Sequence, residues 1–208
     1  MEPTERDPGP SAAAEQADAL DRADMERLAS GDDTALNDLM ARHAEKLFHY
    51  LARSLQSDEE AEDLAQETFA RVYQNRARFD PQRKFCTWLY TIASNLIRNC
   101  YRWRRRHPRV SLDTTDEETG TSLLDHLADD NDTPGERFQS VERAEVVRRA
   151  VAALPEELRQ PLILAEWEEK PQAEIAVMLD CSVKAVETRI YRARKRLREM
   201  LKPRLLEV

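Results

Sequence analysis

The stretch Gln172-Ala173-Glu174-Ile175-Ala176-Val177-Met178-Leu179-Asp180-Cys181-Ser182-Val183-Lys184-Ala185-Val186-Glu187-Thr188-Arg189-Ile190-Tyr191-Arg192-Ala193-Arg194-Lys195-Arg196-Leu197 reads as a short helix, a tight turn and a longer basic helix. Ile175, Ala176 and Leu179 form the apolar side of the leading helix, and Ser182 is placed to cap the second. From there Val183, Val186, Ile190, Ala193, Leu197 and Met200 recur at steps of three and four, which makes one apolar stripe. Lys184, Thr188, Tyr191 and Lys195 project from the opposite face, flanked by Glu187 and Arg192. A helix-turn-helix sets the first residues of its second helix against base edges and later basic residues against phosphates. Lys184, Glu187 and Thr188 are therefore candidate base readers, with Tyr191 on the same face. Arg189, Arg192, Arg194 and Lys195 are candidate phosphate contacts.

The 208 residues suffice for one or two domains, and with 35% charged against 41% hydrophobic residues the core is modest. A net charge of −8 argues at first against a nucleic-acid partner. The signs are segregated, however. Arg98 to Arg109 holds six arginines and no acid, and Lys184 to Arg204 holds nine Lys or Arg against Glu187 and Glu199. Such local stripes, not the net value, decide affinity for nucleic acid. No apolar run is long enough to span a bilayer, and the start Met1-Glu2-Pro3-Thr4-Glu5 lacks the basic and apolar parts of an export signal. The expected location is the cytoplasm, without membrane insertion. Cys86, Cys100 and Cys181 are widely spaced and form no CxxC pair, which argues against a disulfide framework or a zinc site.

All four glycines, Gly9, Gly31, Gly120 and Gly135, fall in segments that read as arms or connectors, and β-branched runs alternating with period two are missing. The expected fold is all-α, with two small helical domains. Residues 1–31 read as an N-terminal arm, in part disordered, with room for a short helix before Gly31. Residues 32–107 read as a domain of three antiparallel helices. The first is capped by Asp33 and runs to Leu55, with Leu36, Leu39, Met40, Ala44, Leu47, Phe48 and Leu51 on its inner face. The second is capped by Asp58, with Ala61, Leu64, Ala65, Phe69, Val72 and Tyr73 inward. The third runs from Phe85 to Arg106, with Trp88, Leu89, Ile92, Ala93, Leu96 and Ile97 buried. Pro81 breaks the pattern between the last two. Residues 108–135 read as an acidic linker, with Leu123, Leu124, His126 and Leu127 as a short docking helix. Residues 136–204 read as the helix-turn-helix domain, entered through a helix to Ala153. Pro155 suits a helix start, and Pro161 is expected to kink the helix it sits in.

Within the first domain, the acids around Asp63-Leu64-Ala65-Gln66-Glu67-Thr68-Phe69 lack the converging partners of a carboxylate or metal site, so a partner-binding face is expected there. Phe85-Cys86-Thr87-Trp88-Leu89-Tyr90-Thr91-Ile92-Ala93-Ser94-Asn95-Leu96-Ile97-Arg98-Asn99 leads into Arg102-Trp103-Arg104-Arg105-Arg106. Cations interleaved with aromatics suit a single strand, neutralising its backbone and stacking its bases. A Gly-rich phosphate loop, an HExxH pair and a nucleophile motif are all absent from the sequence. No enzymatic activity, metal or cofactor is expected.

Asp63-Leu64-Ala65-Gln66-Glu67-Thr68-Phe69-Ala70-Arg71-Val72-Tyr73, the Phe85–Asn99 run and the Leu154-Pro155-Glu156-Glu157-Leu158-Arg159 start with its helix-turn-helix tail resemble, in this order, regions 2 and 4 of the extracytoplasmic-function sigma factors of bacteria. The resemblance covers most of residues 32–202. It implies a dissociable initiation subunit that binds core RNA polymerase and directs it to promoters, with DNA, both large polymerase subunits and an anti-sigma factor as partners, monomeric when free. Asp63, Leu64, Gln66, Glu67 and Phe69 would dock on the β′ clamp helices. Phe79, Asp80, Lys84 and Asn95 would capture an unstacked base of the −10 element, with Arg98, Arg102 and Arg105 on the strand. Lys184, Glu187, Thr188, Arg189, Tyr191, Arg192 and Lys195 would meet the −35 duplex. Lys184-Ala185 and Glu187 depart from the family pattern, which often has Gly-Thr and a basic residue at these places. The charge pattern of the linker, read on top of that resemblance, adds the expectation that it lies along a positively charged polymerase channel and imitates nucleic acid. The alternative is a conventional helix-turn-helix regulator of duplex operators, which has no use for a single-strand face or a clamp-binding helix.

Overall fold

Residues 12–107 and 144–202 are described by the structure, a computed structural model. Among the described residues every regular element is a helix: α1 (Ala12–Ala29), α2 (Thr34–Leu55), α3 (Asp58–Gln74), a 3-10 turn (Arg76–Arg78), α4 (Phe85–Arg106), α5 (144–152), α6 (Glu156–Glu166), α7 (Gln172–Met178) and α8 (Val183–Leu201). The expected linker and docking helix lie outside the described residues.

The largest departure from expectation is α1. The segment read as an arm is an 18-residue helix whose Met25 and Leu28 are buried in the first domain. Beside these two apolar anchors it has ionic ones. Asp21, 2% exposed, accepts hydrogen bonds from Arg42 Nε at 2.9 Å and meets His43 Nε2 at 2.8 Å, and Asp24 accepts from Arg42 and Arg27. Burial alone would raise the Asp21 pKa, but His43 and Arg42 outweigh it and hold the carboxyl below its ordinary value. Gly31 closes the helix at φ 102°, a conformation glycine adopts without a Cβ clash.

The caps differ from those expected by one residue. Asp33 makes no side-chain cap; Asp32 Oδ1 accepts from the Thr34 amide at 3.1 Å instead. Ser57, not Asp58, caps α3 by accepting from the Glu60 amide at 3.3 Å, and Asp58, Glu59 and Glu60 then sit in the first turn, where the helix dipole favours acids. Leu39, Leu47, Tyr50, Leu51, Phe69, Val72, Phe85, Leu89, Ala93 and Ile97 form the core between α2, α3 and α4. Met40 points out at 37% exposure, whereas Trp88 and Ile92 are half-buried. The core also holds a polar pair that hydropathy does not reveal, Tyr50 Oη with Ser94 Oγ at 2.9 Å.

In the second domain α8 lays Val186, Ile190 and Ala193 against α6 and α7, which supply Leu158, Leu162, Ile175 and Met178. α6 spans Glu156 to Glu166 with Pro161 buried inside it, where the proline has no amide hydrogen to give the preceding turn, and Pro155 sits one position earlier than a first-turn proline, as the cap. This domain packs on the first through α4 with α7 and α2 with α6. Arg159, 8% exposed, crosses the seam. It donates to Ser54 O and Tyr101 Oη at 2.9 Å each, to Leu154 O at 2.7 Å and to Ala152 O.

Candidate nucleic-acid interface

The turn between α7 and α8 is built by Asp180, at φ 51°, with the Cys181 amide donating to Ala176 O at 3.0 Å. Asp tolerates this left-handed conformation better than most residues. Ser182 then caps α8, its Oγ accepting from the Ala185 amide at 3.2 Å. With the Val186 stripe turned inward, Lys184, Tyr191, Arg192 and Lys195 are exposed, and Glu187 and Thr188 are half-exposed beside them. Lys184 Nζ donates to Glu187 Oε2 at 2.8 Å, and the carboxylate raises the lysine pKa. The Thr188 hydroxyl donates to Lys184 O at 2.8 Å. Arg194, expected at a phosphate, is held by Glu166 of α6 at 2.6 Å. Arg189 is half-buried, in a cleft of about 380 Å³ that also takes in Arg98, Arg105, Glu156 and Glu157.

The first-domain face behaves differently. Phe79 is half-buried against Trp88 and Phe85, with ring centroids 5.2 and 6.2 Å away. Asp80 folds its own loop, accepting from the Gln82 amide at 3.0 Å. Lys84 Nζ donates to Glu174 Oε1 of α7 at 2.8 Å, and this bond is the leading cause of a raised lysine pKa. Arg98 donates to Leu179 O at 2.9 Å and to Asn95 Oδ1 at 3.3 Å. Arg105 lies 3.8 Å from Glu156, a carboxyl whose pKa burial raises despite the nearby arginines. Arg102 is exposed. Asn95 faces α7 and its turn across a groove of about 750 Å³ lined also by Thr87, Trp88, Thr91, Val177 and Val183, whereas Lys84 caps the start of α4 and Arg98 lines the other cleft.

On α3, Asp63, Gln66 and Glu67 are exposed and Leu64 is half-buried. Phe69 corrects the expectation: at 3% exposure it is a core residue and offers no surface to a partner. Sequence reasoning missed the residues of the domain seam altogether: Arg159, Glu174 and Glu168. Glu168 accepts from Tyr90 Oη at 2.7 Å and lies 3.6 Å from Arg53. Burial raises its pKa, more than the tyrosine and arginine lower it. Among the described residues no three His, Cys, Asp or Glu side chains converge on a metal position, and no helix is long and apolar enough to cross a membrane.

Residues 39–107 match the family described as Sigma-70 region 2, and residues 144–197 match Sigma-70, region 4. The ECF RNA polymerase sigma factor SigW of Bacillus subtilis is 34% identical over 86% of this chain and 95% of its own length. This chain belongs to the ECF RNA polymerase sigma factors. A second sigma factor, the RNA polymerase sigma-H factor of Pseudomonas aeruginosa, is also 34% identical, over 88% of this chain and 94% of its own. Among solved structures, the sigma factor resembles CnrH in complex with the cytosolic domain of CnrY, at 29% identity and a TM-score of 0.62, covering 88% of this chain and 98% of that one. It shares its fold with RpoE of Bartonella quintana, solved with the anti-sigma factor NepR, at 22% identity and a TM-score of 0.63, over 80% of this chain and 96% of that one. As a sigma factor the protein serves promoter-directed transcription by RNA polymerase. The region 2 match takes in most of α2 with α3 and α4, and the region 4 match takes in α5, α6, α7 and most of α8.

Proposed function

We propose that this sigma factor divides its work among three surfaces. The exposed acids of α3, Asp63 and Glu67 with Gln66 and the edge of Leu64, dock on the β′ clamp helices of core polymerase, and other parts of the chain meet the β subunit. Phe79, Asp80, Lys84 and Asn95, with Arg98, Arg102 and Arg105, handle the unstacked strand of the −10 element. Lys184, Glu187, Thr188, Arg189, Tyr191, Arg192 and Lys195 meet the −35 duplex. The observation that carries this reading is the separation of charge on the folded chain: acids outward on α3, cations along α4 and the outer side of α8. Flipping a base costs a few kcal/mol, which a positioned pocket beside a cationic helix offsets. The protein acts in the cytoplasm as a monomer when free, uses no metal or cofactor, catalyses no reaction itself, and is held in check by an anti-sigma factor. The complexes in which CnrH and RpoE were solved support that last partner.

In vitro transcription with core polymerase and a genomic fragment library tests the reading. Starts confined to promoters, abolished by Asp63→Lys with Glu67→Lys but restored by raising core concentration, are the expected result. Core-independent binding of duplex operators, with no promoter-specific starts, would turn the protein into a conventional regulator.

A further inference from the structure

Just beyond its first turn α8 carries an acid, Glu187, where a DNA-binding helix ordinarily gathers cations, and the structure gives that acid a partner. Lys184 Nζ lies 2.8 Å from Glu187 Oε2, with side chains 85% and 43% exposed. An exposed pair of this kind adds little to stability. Its effect on the electrostatics of the surface is larger. A lone carboxylate at this position would repel the phosphates on either side of a groove, and the ammonium beside it neutralises that charge. The Ser182 cap fixes where the helix begins, and the buried Val186 and Ile190 fix which way it faces, so Lys184 and Glu187 stand one above the other on the outer side of its first two turns. The Thr188 hydroxyl hydrogen is committed to Lys184 O. The Thr188 oxygen can still accept, and beside it Glu187 only accepts while Lys184 only donates.

We infer that Lys184 and Glu187 act together as a specificity determinant for a C·G pair in the −35 element; the inference rests on the −35 role proposed for α8. In the major groove, cytosine presents the N4 amino donor that a carboxylate accepts from, and guanine presents O6 and N7, two acceptors side by side for an ammonium. A thymine at the same place would bring its methyl group against the ion pair and offer a single acceptor. Glu187 therefore takes the cytosine N4 hydrogen, and Lys184 swings from the carboxylate to the guanine edge of the same pair. The two side chains hold each other in the free protein and exchange that contact for base contacts on DNA.

The test is selection of promoters from a library randomised across the −35 element, transcribed by holoenzyme reconstituted with the full chain. The wild type is expected to enrich cytosine at one position, by about tenfold over the other bases. Glu187→Gln is expected to move the preference at that position alone to adenine, because a carboxamide pairs with N6 and N7 of adenine. Glu187→Ala flattens it. Lys184→Ala weakens the preference at the same pair and leaves the others in place. Both residues replaced, Lys184 and Glu187, have solvent-exposed side chains, and binding of each variant to core polymerase, measured by gel filtration, serves as the control. Base frequencies unmoved by Glu187→Gln in an active holoenzyme, or a wild-type selection without cytosine enrichment, overturn the inference while the promoter role stands. Uniform weakening by Lys184→Ala at every position makes Lys184 a phosphate contact and removes it from the pair. A wild-type holoenzyme with no promoter-specific starts defeats the −35 role and this inference together.

Discussion

The cationic face of α4 and that of α8 look alike in sequence and differ in the folded chain. Along α4, Lys84 meets Glu174, Arg98 meets the Leu179 carbonyl and Arg105 approaches Glu156, so the second domain supplies partners to three of the residues expected at a DNA strand. On the outer side of α8, Tyr191, Arg192 and Lys195 face solvent, 68% exposed in the case of Tyr191. The difference lies in how each helix is used by the fold. Only one side of α8 is packed, whereas α4 has the core on one side and the neighbouring domain on the other. A DNA strand would have to displace protein groups from Lys84, Arg98 and Arg105, but would meet Tyr191, Arg192 and Lys195 already exposed on α8.

The comparison breaks most severely at Arg159. Arg159→Ala removes donors from four oxygens on both sides of the seam. At about 1–3 kcal/mol for each buried group left unsatisfied, a total loss of several kcal/mol is expected, read as a lower urea midpoint. An unchanged midpoint with unchanged scattering would show that the seam contributes nothing. Ser182→Ala attacks the other side of the comparison. It removes the cap of α8 and is expected to cost about 1 kcal/mol, with faster amide exchange at Ala185 and no change around α4. Glu174→Gln equalises the two faces without disturbing the core. It frees Lys84, so the isolated chain is expected to bind single-stranded DNA several-fold more tightly at low salt, an advantage that shrinks as salt rises. Equal affinities at all salt concentrations would rule out masking by Glu174.

Acid sharpens the comparison through groups with opposite shifts. Glu168 has a raised pKa, because burial at the seam disfavours its charged form relative to the unfolded chain. Stability at that contact grows as pH falls through its folded pKa toward the ordinary Glu value of about 4.3, and stays level below. Asp21 has a lowered pKa. Its contribution to docking α1 is complete above the ordinary Asp value of about 3.9 and is lost as pH falls through the lower folded value. Amide exchange between pH 5 and 3 is therefore expected to show the seam holding while α1 loosens.

Much of this architecture was legible in the chain because it follows from periodicity. The expected span of the third helix, Phe85 to Arg106, is the span of α4, and the stripe of Val186, Ile190 and Ala193 is the buried side of α8. What periodicity could not carry is ionic and long-range. The α1 segment is poor in large apolar residues, and its docking depends on Arg42 and His43, whose partners Asp21 and Asp24 give no local signal. Phe69 fitted both a partner-binding motif and an apolar stripe, and burial decided for the stripe. Glu174 and Arg159 find their partners 90 and 105 residues away, a distance at which spacing holds no information.

The bond from Arg98 to the Leu179 carbonyl places the helix-turn-helix within 2.9 Å of α4. The −10 and −35 elements, by contrast, lie about 25 base pairs apart, roughly 85 Å at about 3.4 Å per step. One molecule bridging both elements, as proposed, has given up this bond and the seam around it. The closed arrangement and the promoter-bound one are then two members of a population, and the apparent affinity for a promoter scales with the fraction already open. Substitutions in the seam, far from any base, would set how much of the protein is ready to start transcription.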